Sequence, residues 1–593
     1  MVLLVVSILA LAVGPLLLRV SGSRAGVLAL FDGYVLVTLV GIVVLHVLPN
    51  AIALGGSWGA VAAAVGLIAP AMIERRLDEG GVVPRVLLWP AIAGLAIHAL
   101  LDGAALVAEG SHGEHGHVSM LAVGVLLHRL PFGLTIWWVL RPRLGFQAGA
   151  ALIVTMSVAT VVGFTAATSV MDSMPLQAMA VFQALVAGSL LHVVVGHQPK
   201  PLREVTRQSR WLATAGAVLG AGTLIALAQE HPIARHVAGE LAAGETFTNL
   251  ALTSAPALLV GLAGGAVIWV FVSDRPTSWL ARGGPLIRVG KGMVFGLPLP
   301  LSSCDVLPSY RRLVVAGAPL AAALAFLLAT PQIGLEAAAM SLPLLGSQLA
   351  VARLVLAVAV ALIVVALVAI ASRGRVAARR DLETSPPLPS PGQRSHFVVT
   401  LRSALADRLD HIAPWMVTGF AVAALVEPLL DGRQLAAIPE GLDVLGMAIV
   451  GMVGYVPALG ALPIAVVLLH KGLSAGAGIA FLITGPAVSM TTFAVLSSLH
   501  GRRVALVLGC GVALVATLAG LAINWLGSGY DIAALHAAAA RGPNWLEWSS
   551  GVLIGALVLA SLLRQGPRAA LAKIFNPREH HDHHTDLRRA HSH

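Results

Sequence analysis

Uncharged apolar stretches of about 18 or more residues recur along the whole length of this chain, and each is long enough to cross a bilayer as a helix. Only 11% of the 593 residues are charged, whereas a soluble domain has about 25%. The chain therefore lacks the polar groups needed to cover a water-facing surface. We predict an all-α polytopic membrane protein with about 16 to 18 transmembrane or half-membrane helices.

The basic residues lie in short clusters between the apolar runs, which is typical of loops retained in the cytoplasm. The net charge of +10 therefore does not indicate nucleic acid as a partner. The predicted partner is the lipid bilayer. Clusters at 75–76, 141–143 and 200–210 mark alternate cytoplasmic loops. Met1–Val20 has no basic residues ahead of it, so we predict a first transmembrane helix rather than a cleaved signal. The resulting prediction is a multi-pass inner (plasma) membrane protein with its N-terminus outside and its C-terminal tail in the cytoplasm.

Shifts in composition divide the chain into segments. The predicted segments are a membrane domain of about eight helices at 1–230, a first repeat at 245–371, a cytoplasmic Pro/Arg-rich linker at 372–397, a second repeat at 398–565, and a His-rich cytoplasmic tail at 566–593.

The two repeats align without a gap over about fifty residues. Pro308 aligns with Pro463, an offset of 155 (463 − 308), and the same offset aligns Pro331 with Pro486 and Gly346 with Gly501. The positive-inside pattern makes the helix before the first copy run inward and the helix before the second copy run outward. We therefore predict inverted repeats with broken helices, an arrangement typical of secondary transporters with a site near the membrane midplane.

The residues at these breaks form the predicted transport path. A thiol prefers soft or borderline ions, and a carboxylate at membrane depth is costly unless it has a role or a partner. The predicted path consists of Ser302, Ser303, Cys304, Asp305, Pro308, Pro331, Pro463, Thr484, Pro486 and Ser489.

The second half resembles a known family. The run GLPLPLSSCDVLP and its partner YVPALGALPIAVV are similar to the predicted-permease family that includes the trivalent organoarsenical exporters and members regarded as copper/zinc efflux permeases. The resemblance covers about 245–565 and implies a permease. Family members often have a CSCG-like run where this chain has Ser302-Ser303-Cys304-Asp305, so only one thiol stands here.

The first half has its own candidate metal ligands. His98 and Asp102 are four residues apart, which places both on one face of a helix. His128 lies in the next apolar span, His46 ends the second and His192 lies in the seventh. Each histidine alone is compatible with a helix end or a backbone hydrogen bond. Together, His98, Asp102 and His128 favour a metal site.

This half resembles the ZIP family of zinc and iron transporters. HVLPNA and HALLDG are similar to HLLPEA and HNxxDG, and LLHRLPFG stands where that family has HExPHE. His98, Asp102 and His128 match the motifs, whereas Arg129 stands in place of a glutamate. The resemblance implies a degenerate metal transporter domain.

The tail residues His580, His581, His583 and His584 are predicted to bind metal loosely. The predicted function is efflux of a zinc or copper class ion by alternating access, with Zn2+ or Cu+ passing as cargo and no tightly bound cofactor. Export of trivalent organoarsenicals is the alternative. A metal-sensing scaffold or an intramembrane zinc enzyme is a different class, but HExxH does not occur, so we expect no enzyme. The oligomeric state stays open.

Overall fold

The fold is seen in a computed structural model of the chain, and its secondary structure is helical in the part that the structure describes. The described residues are 1–20, 25–78, 96, 99–100, 102–107, 120–170, 175–196, 207–230, 243–272, 277–297, 299, 306–371, 397–427, 430, 432–439, 441–454, 456–526 and 542–570. They form two compact units. Unit 1 contains 1–242 and 562–572, and unit 2 contains 243–561 and 573–593.

Unit 1 is built from long apolar helices. They are α1 (Val2–Val20), α2 (Ala25–Ile42), α3 (Leu48–Asp78), α4 (Met120–Val170), α5 (Leu176–Gly196) and α6 (Arg207–Glu230), with a π-helical turn, Val43–Val47, between α2 and α3. Helix α2 packs on α6, α3 on α5, and α1 on α4. Helix α4 contains a break at Gly145, whose φ of 86° favours glycine.

Small residues allow these helices to approach closely. A Cβ at Gly33 would overlap the carbonyl oxygen of Ala213, and a Cβ at Gly216 would overlap that of Leu30. The same reciprocal arrangement joins α3 and α5 through Gly66 and Gly188. Glycines at helix contacts are typical of membrane proteins, where close backbone packing replaces the hydrophobic effect as the force between helices.

Unit 2 consists of shorter and longer helices in alternation. They are α7 (Ala243–Val272), α8 (Pro285–Gly296), α9 (Val306–Val315), α10 (Leu320–Ile333), α11 (Leu335–Ala371), α12 (Phe397–Val426), α13 (Gly432–Ala436), α14 (Leu442–Gly454), α15 (Ala458–His470), α16 (Ala475–Ala487), α17 (Met490–His500), α18 (Arg502–Leu526) and α19 (Trp545–Gln565). A 3-10 turn, Thr277–Ala281, precedes α8.

The helix boundaries repeat at the sequence offset. Helix α11 is kinked at Gly346, so its two parts correspond to α17 and α18, which are separated by Gly501. Gly346 has φ 75° and Gly501 has φ 87°, so both breaks use the same left-handed glycine conformation. Helices α8, α9 and α10 correspond in the same way to α14, α15 and α16, and α7 corresponds to α12 with 30 residues in each.

The two copies run in opposite directions. The rings of Phe247 and Phe420 lie 6.1 Å apart, which joins the start of α7 to the end of α12. Further along α7, Gly265 meets Arg408, which lies in the first half of α12. As the residue numbers rise along α7, the numbers of the α12 residues in contact with it fall. The corresponding helices α7 and α12 are therefore antiparallel. The predicted inversion of the repeats is confirmed.

Corresponding helices also meet each other. Helix α7 packs on α12, α10 on α16, and α11 on α18. In a twofold arrangement, an element at the axis contacts its own counterpart, as in an isologous interface. Because the copies are antiparallel, the pseudo-twofold axis lies in the plane of a membrane that the helices cross.

Among the described residues, five helices are long and apolar enough to cross a membrane, or six if the bent pair 475–487 and 491–500 is one span. Seven further apolar segments of 10 to 17 residues lie in other helices of the described part. The predicted total of about 16 to 18 counted half-membrane pieces as well. The predicted all-α polytopic fold is confirmed.

Two glycines on α14 test the packing of unit 2. A Cβ at Gly451 would overlap the Thr484 hydroxyl, whereas a Cβ at Gly446 would meet nothing within 4 Å. We expect Gly451→Ala to destabilise the protein by about 1–3 kcal/mol through overpacking. Gly446→Ala should leave stability unchanged or raise it by about 0.5–1 kcal/mol.

The measurement is the thermal unfolding midpoint of the purified variants in lipid nanodiscs. Equal midpoints for Gly451→Ala and Gly446→Ala would contradict the close packing of α14 on α16.

Candidate functional site

The candidate site consists of two helix breaks, one in each copy, which we call the first and the second elbow. In the first copy, α10 ends at Ile333 and α11 begins at Leu335, with Gly334 between them. In the second copy, α16 ends at Ala487 and α17 begins at Met490. Pro331 and Pro486 lie in the last turns before these breaks and are buried. A proline removes a backbone donor and crowds the preceding turn, so the helices stop at matching places.

The second elbow is closed by a hydroxyl. The Ser489 Oγ accepts a hydrogen bond from the Thr492 backbone N–H at 3.0 Å and lies 2.9 Å from the Thr492 Oγ1. This is the arrangement of an N-cap, which satisfies one of the free N–H groups at the start of α17. The Thr484 hydroxyl donates to the Ala480 carbonyl on its own helix at 2.9 Å. The second elbow is therefore stabilised by uncharged hydroxyl groups.

At the first elbow, a charged side chain binds the free backbone groups. The Arg353 side chain is 1% exposed, and its Nη2 donates to the carbonyl of Gln332 at 2.8 Å. Its Nη1 donates to the Ser341 Oγ at 2.7 Å. A guanidinium has five donors in a rigid fork, so it satisfies the carbonyls freed at the end of α10 and joins them to α11. The counterpart of Arg353 in the second copy is Leu508, so this cation belongs to one copy only.

A second buried charge pair lies beside the first elbow. Arg408 of α12 binds Glu336 in the first turn of α11, with its Nη2 2.6 Å and its Nε 2.7 Å from the Glu336 Oε1. Helix α7 makes room for the pair through two glycines. A Cβ at Gly265 would overlap the Arg408 guanidinium, and a Cβ at Gly261 would lie 2.7 Å from the Glu336 Cα. Both partners are almost completely buried.

The sequence analysis missed Glu336, Arg353 and Arg408. Arg353 stands alone in an otherwise uncharged apolar run, and an ionisable residue in such a run is a functional candidate by default. That signal was present in the sequence. The pairing of Glu336 with Arg408 had no comparable signal, because 72 positions separate the two residues.

The predicted path residues fall into three groups. Pro331, Thr484, Pro486 and Ser489 lie at the two elbows, and the helices that end there, α10 and α16, pack on each other. Pro308 and Pro463 lie on α9 and α15, away from the elbow residues in sequence but packed on the same helices, α10 and α16. Ser302, Ser303, Cys304 and Asp305 lie outside the described residues.

In unit 1 the predicted ligand Asp102 is paired with an arginine. The Arg129 Nη2 lies 3.2 Å from the Asp102 Oδ2 and donates to the Thr160 hydroxyl at 2.9 Å. Asp102 and Arg129 are both buried. Gly103 and Gly163 bring their helices together, since a Cβ on either would overlap a carbonyl oxygen of the other segment. A guanidinium thus occupies the position next to Asp102 at which a metal cation would bind.

The other predicted ligands are described only in part. His192 is buried on α5, and the backbone of His46 lies in the π-helical turn Val43–Val47. The side chains of His46 and His128 lie outside the described part of the structure, as do His98, His580, His581, His583 and His584. Within the described residues, no group of three His, Cys, Asp or Glu side chains could hold a metal ion. A metal site at Asp102 stays a prediction.

The fold and the elbows define a class of protein: a polytopic membrane protein with a core of two inverted helical copies. Residues 240–525 match a family described as "Predicted permease". The C-terminal half is therefore similar to a predicted permease, in agreement with the motif resemblance.

One relative is the UPF0718 protein YcgR of Bacillus subtilis (strain 168), which is 29% identical over 85 residues. That match spans 14% of this chain and 29% of the relative. No solved structure matches the chain. The family match begins at residue 240, so the likeness of the N-terminal half to ZIP transporters stays a prediction.

The Asp102–Arg129 pair gives a stability prediction. Arg129→Gln leaves the Asp102 carboxylate buried without its cation, which should destabilise the protein by about 3–5 kcal/mol. The double variant Asp102→Asn/Arg129→Gln removes both charges and should regain most of that loss. The measurement is the unfolding midpoint of each variant in nanodiscs.

If the double variant loses as much stability as the two single variants together, the effects are additive. That outcome contradicts a structural ion pair. A zinc titration of the same variants provides the second readout. If Asp102 binds metal in spite of Arg129, Asp102→Asn lowers zinc affinity.

Proposed function

We propose that this protein moves a metal or metalloid species across the inner membrane by alternating access. The observation that carries the proposal is the antiparallel packing of α7 on α12, together with helix breaks at matching positions. Inverted copies can exchange conformations, so that the path opens first on one side and then on the other. Corresponding helices that meet at the axis, such as α10 and α16, form the surface on which the copies would rock.

The first candidate cargo is an ion of the zinc and copper class, moved outward. The support comes from the sequence: a thiol and a carboxylate at Cys304 and Asp305, and a histidine-rich tail proposed to lie in the cytoplasm. Thiolate and imidazole are ligands that suit these ions. The tail would gather ions on the side from which they leave.

The second candidate cargo is a trivalent organoarsenical, and the buried charges favour it. Among the described residues, two guanidinium groups, Arg353 and Arg408, and one carboxylate, Glu336, lie around the first elbow. A divalent cation near an excess of positive charge is opposed at low dielectric, whereas an uncharged metalloid species is not. One thiol at Cys304 would supply a soft ligand for arsenic.

Transport by membrane vesicles tests the proposal. Inside-out vesicles that contain the protein are offered Zn(II), Cu(I) and methylarsenite in turn. We expect accumulation of at least one of them, and Cys304→Ala should lower it by about tenfold if the thiol is a ligand. Cys510→Ala is the matched control, because Cys510 is exposed on α18 and outside both elbows.

If none of the three species accumulates, and wild type equals Cys304→Ala, the proposed function is lost. Truncation after Pro577 separates the role of the tail. It should lower apparent metal affinity without abolishing transport, since loosely binding histidines only raise the local concentration. Complete loss of transport would instead place the tail in the path.

A further inference from the structure

Glu336 and Arg408 join the two copies through a buried ion pair. Glu336 belongs to the first copy, on α11, and Arg408 belongs to the second, on α12. The other buried acids of unit 2 in the described residues have partners within their own copy. Glu427 lies 3.1 Å from Lys471, and Asp443 accepts from the backbone N–H groups of Val444 and Ser474. If the copies rock, Glu336–Arg408 is the charge pair that the motion must stretch or carry along.

The pair is absent from the pseudo-symmetric positions. At the offset of 155, Glu336 corresponds to Thr491 and Arg408 corresponds to Thr253. The second elbow therefore forms without a carboxylate or a guanidinium at those places, with a Ser489 cap instead. A helix break of this shape does not require an ion pair for its stability. The charges in the first elbow have another role.

The ion pair links the protonation of the carboxylate to the position of Arg408. A neighbouring cation stabilises an ionised carboxylate, whereas a buried carboxylate without a cation is favoured in its neutral form. Arg408 binds Glu336 directly, so a movement of the copies that takes Arg408 away would favour uptake of a proton. While Glu336 is ionised, it holds Arg408 by charge. When Glu336 is protonated, the charge attraction is gone and a neutral hydrogen bond is left, so the connection between the copies weakens.

The neighbouring helices have few other titratable groups in the part of the chain that the structure describes. Helices α10 and α16 have none. Glu245 of α7 is about 24 Å along the helix from Gly261, which faces Glu336. On α12, Asp407 is exposed and Asp410 and His411 are partly exposed, whereas Arg408 is buried. The remaining groups are His470 at the end of α15, and Arg502, Arg503 and Cys510 on α18.

We propose that Glu336 is the proton-binding residue that couples this permease to the proton gradient. The inference rests on the proposed function. A proton that enters from the outside forms the O–H bond of Glu336 and breaks the ion pair with Arg408. The copies then change conformation, the proton leaves to the cytoplasm, and the ion pair forms again. Cargo leaves in the opposite direction, so the exchange is an antiport.

The experiment separates movement of cargo from its coupling to protons. Purified protein is reconstituted into liposomes, with methylarsenite as the probe in one set and Zn(II) in another. Exchange of labelled for unlabelled probe is measured at equal pH on both sides. Uphill accumulation is measured under an imposed pH gradient, and an entrapped pH-sensitive dye reports proton movement driven by the probe.

For Glu336→Gln we expect exchange to continue. Gradient-driven accumulation and the dye signal should fall by about tenfold or more, which is within the usual range for linkage between two sites. Glu336→Gln leaves Arg408 buried without its anion and can therefore impair folding. The double variant Glu336→Gln/Arg408→Gln removes both charges and should show the same loss of coupling with monodisperse elution.

Glu427→Gln is the matched control, since it makes the same change at a buried carboxylate paired with Lys471 inside one copy. It should couple like wild type. The inference is overturned if either Glu336 variant couples protons as wild type does, or if Glu427→Gln loses coupling equally. Wild-type protein that shows neither exchange nor accumulation would overturn the proposed function instead.

Discussion

Every polar group of a backbone inside hydrocarbon must find its partner within the protein, because no water is available there. Unbroken helices meet this requirement by themselves. Unit 2 breaks four of its apolar stretches at proline or glycine, so it must satisfy the freed carbonyl and N–H groups by other means. The Arg353 guanidinium does so at one elbow and the Ser489 hydroxyl at the other.

The two copies share a fold but differ in chemistry. Their helices begin and end at the same offsets, and their corresponding helices pack on each other. Nevertheless, charges gather at one elbow and hydroxyls at the other. A strictly symmetric pair would have equal energies in its inward and outward states. Charges placed in one copy make the energies of these two states unequal.

Unit 1 uses its buried charges differently. Arg129 satisfies Asp102, Thr160 and a backbone carbonyl in one closed cluster, with glycines bringing the helices together around it. A cluster of this kind is costly to open, since either partner left alone is a buried charge. In the described part of unit 1, the buried ion pair is therefore held within one closed cluster, whereas the ion pair of unit 2 joins the two copies.

The positions of lysine and arginine predicted the inversion of the repeats. The order of prolines and glycines along the chain was enough to predict the repeat itself and the broken helices. These residues act locally, through a missing donor or a left-handed φ, so their effect is readable from position alone. The pairing of Glu336 with Arg408 and of Asp102 with Arg129 was decided only by tertiary packing. A side chain on a membrane helix can face lipid or the protein interior, and its partner depends on which helices meet. Glycines such as Gly265 and Gly103 set that approach, because they leave space for a guanidinium or a neighbouring backbone where any other residue would fill it.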